Sequence, residues 1–580
     1  MVNQNFDKCP AVVSSGAIWV GWEAVLKQIS VDINSKKRFI ISVECYQGVN
    51  HAELINIFHE NLSSNLFIDT RTLFKDEAEI RTLTYPDVTD DAIFGRITRL
   101  TMNDFLSSVK LQAARKLIDK TEGVVIVYGH GASLVAPDAD RLIYADMARW
   151  EIQLRMRANK ADNLGLENAG EKTSEQYKRG FFVDWRVCDK LKKTICPKID
   201  YWLDTNKENE PKMINKATFD NCMNAAVSQP FRVTPFFDPG PWGGQWMKEK
   251  FGLDKGTANF AWSFDCVPEE NSLLFCISDT IFEMPAINLV FFRTTSLLGQ
   301  PVESRFGQEF PIRFDFLDTI GGGNLSLQVH PHTQYIRDKF GMIYTQDESY
   351  YMMEASEDAI VYLGLKKGVD GKAMIDDLNK AQEGGKMFDA EKYVNTFPAK
   401  KHDHFLIPAG TIHCSGKNSV VLEISATPYI FTFKLWDWGR MGLDGKPRPI
   451  NIEHGSKVIR WEWDTDYAET ELINKIEKIA QGDGWIEERT GLHRNEFIET
   501  RRHWFIGKVE HETGESVNVL NLVEGEEVVV ESPDNKFAPF TVHYAETFII
   551  PASVGRYTIR PRSENGKQYA TIKAYVRFKS

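Results

Sequence analysis

The chain has 580 residues, 42% of them hydrophobic and 26% charged, and carries a net charge of −12 at pH 7. That length exceeds one compact core and accommodates roughly two to four domains, while the acidic balance works against a phosphate backbone and excludes nucleic acid as a partner. No apolar run approaches the roughly 20 residues that would cross a bilayer, and the start, MVNQNFDKCP, lacks the basic and greasy stretches of a secretion signal, so no membrane partner is expected. The eight cysteines are scattered without a CxxC pair, which suits singly buried thiols in a reducing compartment and points to the cytoplasm.

Residues 1–230 alternate buried-strand runs with amphipathic helices, which predicts an α/β sheet. RFIISVEC and GVVIVYGHG read as strands, and AELINIFHENL, MNDFLSSVKLQAARKLID and DMARWEIQLRMRANKA as helices with apolar residues at spacings of three and four. The succession of strand, loop, helix and later VIVYGHG strand resembles the P-loop nucleoside kinases, such as uridine kinases. That resemblance implies a phosphate loop at residues 44–51, where the family has GxxxxGK followed by Ser or Thr. This chain has ECYQGVNHAE, with one glycine, Gly48, and with Asn50-His51 in place of the lysine and hydroxyl residue. A kinase-like domain without phosphotransfer is the expectation, with His51 structural or merely exposed and His130 a hydrogen-bonded loop histidine.

From residue 231 short β segments separated by Gly, Pro and Asn predict sandwiches or barrels. A metal-binding β domain is expected over 231–465, with a polar helical insertion, KAMIDDLNKAQEGGK, between 368 and 397. YAETELINKIEKIA, apolar at helix spacing, predicts a helical linker over 466–499. A second β module follows over 500–580, where ETFIIPASVGRYTIRP repeats an earlier IPAG turn but His543 stands alone, so this module is expected to be metal-free.

The chemistry concentrates in the first β domain. In NLSLQVH, residues 324–330, the two-residue strand period puts Leu325, Leu327 and Val329 on one face and Ser326, Gln328 and His330 on the other. Glu348 follows in DESYYMM, with Tyr350 on its face, and His413 lies behind the Pro408-Ala-Gly turn of IPAGTIHCSG. Two imidazoles, an amide oxygen and a carboxylate suit zinc or another divalent transition metal. The same period gives Thr432, Lys434 and Trp436 a common face in FTFKLWDW.

These motifs, in this order, resemble the type I mannose-6-phosphate isomerases (phosphomannose isomerases), a family of two-jelly-roll cupins. The resemblance runs over about residues 233–580 and is carried by PFFDPGPWGGQWM, by FPIRFDFLDT leading into LSLQVHP, by DESYYMMEA, by LIPAGTIHCSGKNSVVLEIS, and by FTFKLWDWGR followed by PRPINIEHGSKVI. It implies a multidomain chain in which the α/β kinase-like domain precedes two jelly rolls, and in which Gln328, His330, Glu348 and His413 hold the metal. It further implies interconversion of mannose 6-phosphate and fructose 6-phosphate through an enediol or enediolate, with a small phosphorylated sugar as partner. Lys434, standing where the family has an arginine, becomes the charge stabiliser or proton relay, and Arg440 either a phosphate clamp or a salt-bridge partner of Asp437. Ser326 is expected at a phosphate or substrate hydroxyl, Tyr350 as a pocket wall, and Glu423 as an acid behind the ligands or a structural residue. The chain departs from the family at Asp315, where a basic residue is usual, and at His332, where an aspartate is usual. Two rivals stand beside this reading: a non-catalytic sugar-phosphate-binding cupin, in which Asp315 and Lys434 mark lost catalysis, and an iron-dependent cupin oxygenase.

Overall fold

The structure, a computed structural model, describes residues 5–578 apart from 35, 385, 427–430, 442–447, 449, 492 and 565. The chain forms two compact units, one of Ala11–Ala226 with Pro268–Phe292, the other of the segment ending at Pro10 with Val227–Val267 and the chain from Arg293 onward. Assigning everything after 230 to the β domains therefore needs correcting for Pro268–Phe292. Within that excursion Ser272–Ile277 pairs parallel with Ala11–Ser14 and antiparallel with Thr280–Pro285, so its backbone groups are satisfied inside the first unit.

The first unit is built on a seven-stranded sheet of β1 (Ile18–Val20), β2 (Phe39–Cys45), β3 (Leu66–Asp69), β4 (Val124–Gly129), β5 (Arg141–Asp146), β6 (Tyr201–Asp204) and β7 (Lys212–Asn215). Their spatial order is β1-β7-β6-β5-β2-β4-β3, parallel from β3 to β6 and antiparallel for β7 and β1. All seven residues of β2 are buried, as a central parallel strand covered on both faces requires. Among the helices are α1 (His51–Asn61), which buries Leu54 and Phe58, α2 (Ser108–Lys120), α3 (Arg149–Arg157) and α4 (Trp185–Ile195). The sequence MNDFLSSVKLQAARKLID is not one helix: Met102–Phe105 forms a single turn under a Thr101–Asp104 capping box, and Ser107 is extended before α2 begins.

In the second unit, β8 (Phe236–Asp238), β9 (Trp262–Cys266), β10 (Arg313–Asp318), β11 (Leu327–Val329), β12 (Glu348–Ala355), β13 (Ile360–Leu365), β14 (Val394–Pro398), β15 (His404–Ile407), β16 (His413–Ser415), β17 (Ser419–Ser425) and β18 (Phe433–Trp436) make two antiparallel sheets. The larger has the order β15-β12-β17-β10-β9-β8 and the smaller β14-β13-β16-β11-β18. Helix α5 (Thr333–Phe340) follows the ligand strand β11, and α6 (Gly371–Gln382) is the expected polar insertion.

A second antiparallel sandwich closes the chain. Its larger sheet has the order β19 (Glu477–Gly482), β20 (Trp485–Gly491), β21 (Ile498–Phe505), then β28 (Tyr569–Val576), β23 (Asn518–Glu524) and β26 (Thr547–Ile550); the smaller joins β22 (Val509–Glu512), β27 (Arg556–Pro561), β24 (Glu527–Glu531) and β25 (Phe540–His543). Leu520, Leu522, Val528, Val530, Phe548 and Tyr557 fill the space between them. The helical linker over 466–499 is thus overturned beyond Leu472, where helical backbone ends. Gly484, at φ 75°, permits the reversal between β19 and β20, and the ladder from β20 to β21 outweighs the helical spacing of Ile476 and Ile479. No helix among the described residues is long and apolar enough to cross a membrane.

Candidate metal centre

Strand register assembles the site. Gln328 on β11 lies opposite His413 on β16 and opposite Lys434 on β18, so the three form one row across the smaller sheet and project to the same side. On the larger sheet Glu348 lies opposite Ser425, itself opposite Arg313, and Tyr350 lies opposite Glu423, itself opposite Asp315. The two inner faces meet at His330, Glu348 and His413, whose ligand atoms lie within 4.8 Å of one another and which form the one such group of three among the described residues.

His413 Nε2 is 2.6 Å from Glu348 Oε1, and His330 Nε2 is 3.2 Å from Glu348 Oε2. Each imidazole uses its other nitrogen on a backbone carbonyl, His413 Nδ1 with Thr411 O at 2.9 Å and His330 Nδ1 with Phe431 O at 3.4 Å. A carbonyl only accepts, so each Nδ1 carries a proton and, in the neutral ring, each Nε2 presents a lone pair to the carboxylate. Four electron-rich atoms therefore converge in a space from which water is excluded, and His330 Nε2 and Glu348 Oε1 have no hydrogen-bond partner there. Gln328 Nε2 lies 3.2 Å from His413 Nε2; turning the amide over, an orientation set by hydrogen bonding alone, would bring Oε1 to that place as a further donor. A divalent cation satisfies all of these groups at once. Burial alone would raise the Glu348 carboxyl; with the facing His330 and His413 protonated, their charges hold it well below the usual carboxylate range, and with the rings neutral a bound cation would take over that part.

Behind Glu348, the Gln346 amide donates to Glu348 Oε2 at 2.9 Å and to Glu423 Oε1 at 3.4 Å. Burial, then the neighbouring charges of Glu348 and Asp315, drive the Glu423 carboxyl far up, so it holds its proton. The Tyr350 ring packs at 5.7 Å from His413, and its hydroxyl is buried without a hydrogen-bond partner. Ser326 donates to Asp437 Oδ1 at 2.8 Å. The same carboxylate pairs with Arg440 at 2.9 Å and with Arg448 at 2.9 Å, so of the two sequence readings of Arg440 the salt bridge to Asp437 is present. Lys434 is lowered to about 8, chiefly by burial and then by the Arg448 charge. Three cations thus surround one carboxylate beside the Gln328 row. The structure places the sequence candidates in this region, and it adds Gln346 and Arg448 to them. Gln346 stands two positions before Glu348 and could have been found by strand period.

The loop at the carboxyl end of β2 is engaged by neighbouring segments of the first unit. Gln47 is held by Trp185 Nε1 and Asp162 O at 2.8 and 2.6 Å, Gly48 O accepts from Arg155 at 3.0 Å, and Tyr46 donates to Asp189 at 2.9 Å. His51 bonds Tyr128 and His130 at 2.8 and 3.1 Å, and His130 bonds Cys45 O at 2.9 Å, which makes both histidines structural.

Comparison with known proteins divides along the chain. Residues 21–228 match a family described as a domain of unknown function, DUF8485. A mannose-6-phosphate isomerase of Streptococcus mutans is 26% identical over 221 residues, covering 38% of this chain and 64% of that protein. Mannose-6-phosphate isomerase ManA of Bacillus subtilis is 24% identical over 235 residues, covering 40% of this chain and 69% of that protein. The chain thus spans about two thirds of these relatives' length. A crystal structure of a Bacillus subtilis mannose 6-phosphate isomerase aligns with 60% of this chain and 99% of its own, at a TM-score of 0.48 and 18% identity.

Proposed function

We propose that the chain is a metal-dependent aldose–ketose isomerase that interconverts mannose 6-phosphate and fructose 6-phosphate in the cytoplasm. The observation that carries the reading is the convergence of two imidazole Nε2 atoms on both oxygens of a buried carboxylate, in a chain related to proteins named as isomerases of this sugar phosphate. His330, Glu348, His413 and Gln328 would hold the ion, zinc being suited to this donor set. An ion held there would supply positive charge to stabilise the negative charge that develops as a proton moves between C1 and C2. Lys434, Arg440 and Arg448 form the anion-holding side, with Asp437 and Ser326 fixing the two guanidiniums in place for the phosphate. Glu423 holds its proton beside the ligands, and Lys434, in the Gln328 row, would carry the mobile proton or screen the charge it leaves.

The test is to mix mannose 6-phosphate with the full-length protein and follow fructose 6-phosphate through a coupled assay. Turnover is expected to vanish with chelator and in His413→Ala; undiminished turnover in that variant would exclude the site. A second reading uses the same residues, because two histidines and one carboxylate are also the ligand set of non-haem iron oxygenases. Iron-dependent oxygen uptake without isomerisation would favour it, and tight binding of mannose 6-phosphate without turnover would favour a sensor. For the first unit we propose a kinase-like sheet that does not transfer phosphate, supported by the engaged loop Tyr46–Asn50, which has no lysine to hold phosphates.

A further inference from the structure

We propose that a groove of about 520 Å³ beside the ligand-bearing segments binds a sugar through its hydroxyl groups, at a position separate from the metal centre. The groove goes beyond the isomerase reading and does not rest on it, because none of the four metal ligands lines it. It is formed where the ends of the ligand segments come together. His332 and Thr333 follow His330, Thr345 and Asp347 precede Glu348, and Arg460 and Asn495 complete the wall. Backbone bonds tie these pieces to one another: Gly410 N donates to His330 O at 3.0 Å, and Arg460 N donates to Gly410 O at 3.0 Å.

The lining interleaves fixed donors and acceptors. Arg460 lies over the Trp463 ring at 4.9 Å, its nearest carboxylate, Glu462, is 3.7 Å away and mostly exposed, and its Nε has no hydrogen-bond partner. The guanidinium is therefore held in place with its Nε unsatisfied and Nη1 in only a long, exposed pairing with Glu462. Asp347 accepts from Ala409 N at 2.9 Å through one oxygen, which fixes the carboxylate and leaves its second oxygen as an acceptor. His332 spends Nδ1 on the amide of Tyr335 at 3.3 Å, leaving Nε2. Thr345 donates its proton to Pro331 O and keeps lone pairs. A planar two-pronged donor next to a fixed carboxylate and a side-chain amide matches vicinal hydroxyls, each of which donates and accepts. The cation and the carboxylate of the lining offset each other, which disfavours a free anion such as phosphate. The volume falls in the range of small-molecule sites.

Saturation-transfer NMR with full-length protein tests this, using methyl α-mannoside and, separately, inorganic phosphate as probes. Saturable binding of the mannoside is expected in wild type and equally in His413→Ala, weakened at least tenfold in Arg460→Ala and in Asn495→Ala, and weakened also in Arg460→Lys, which keeps the charge but loses the fork. Circular dichroism checks that each variant is folded. Absence of saturable mannoside binding overturns the proposal, as does unchanged binding in both Arg460 variants. Displacement of the mannoside by phosphate in an Arg460-dependent manner shows an anion site and overturns it too. Binding lost in His413→Ala but kept in Arg460→Ala places the sugar on the metal centre instead. Because the groove is read in His413→Ala, its failure and a failure of the isomerase assay are separate results.

Discussion

Glu44 gives a pH dependence whose sign and size follow from its surroundings. It is the penultimate residue of strand β2, where its carboxylate accepts from Gly131 N at 2.6 Å, from Ser133 N at 2.8 Å and from Ser133 Oγ at 2.6 Å. Burial nevertheless dominates these bonds and raises the group from 4.5 to about 7. Between those values the folded chain holds a proton that the unfolded chain has released. The contribution to stability is therefore fully present below the unfolded value and is lost as pH rises through the folded one. From about pH 5 to about pH 8 the loss amounts to about 2.5 kcal/mol. Glu44→Gln has no such proton to release, and comparing it with wild type cancels the other titrating groups. Hydrogen-exchange mass spectrometry on peptides covering Phe39–Cys45, corrected for intrinsic exchange, reads the opening free energy in the full-length protein. The glutamine variant should gain on wild type by about 2.5 kcal/mol between the two pH values, whatever its constant offset. A difference independent of pH, or one that grows in favour of wild type, would refute the argument that desolvation outweighs three hydrogen bonds at this carboxyl.

Three further predictions concern the metal centre. Gln346→Leu removes the amide that orients Glu348 and should weaken divalent-metal binding by roughly 10- to 100-fold, measured by competition with a chromogenic chelator; unchanged affinity would leave Gln346 without this role. Arg448→Ala removes one charge-assisted contact from the proposed phosphate side and should raise KM for mannose 6-phosphate by about 10- to 100-fold with a smaller change in kcat. Tyr350→Phe deletes a buried hydroxyl that has no hydrogen-bond partner, so the metal-free variant should be more stable by about 1–3 kcal/mol, read from the denaturant midpoint. A destabilised variant would show that the hydroxyl is satisfied after all.

The ligand strand is legible in NLSLQVH because a period of two on a short segment admits one reading: Leu325, Leu327 and Val329 must share a face, and Gln328 and His330 must share the other. What that reading lacks is pairing. The row His413–Gln328–Lys434 exists because β11 sits between β16 and β18, and strand order across a sandwich depends on connections much longer than any local pattern. The same limit explains the failed linker. Ile476 and Ile479 have helix spacing, yet Gly482 and Gly484 bracket a turn that hands the segment to the ladder of β20 and β21. It explains Pro268–Phe292 as well, whose partner strand Ala11–Ser14 lies at the opposite end of the first unit's sequence.

Charge placement was harder to read than ligand placement, and the physical reason is range. A metal ligand set declares itself through residue type, since few side chains other than imidazole and carboxylate can occupy it. A cation's role depends on what neutralises it, and that can come from anywhere nearby. Arg440 illustrates the point: beside Asp437 alone it would be a closed salt bridge with nothing left for a phosphate. Arg448 changes the balance by claiming the second oxygen of the same carboxylate, and Lys434 adds a third cation within the field of that same Asp437. One carboxylate among three cations leaves an excess positive charge that burial makes costly, and the dianion of the proposed sugar-phosphate substrate would relieve that cost. The Asp437 pair thus fixes the arginines in position without cancelling the field that would draw a phosphate to them.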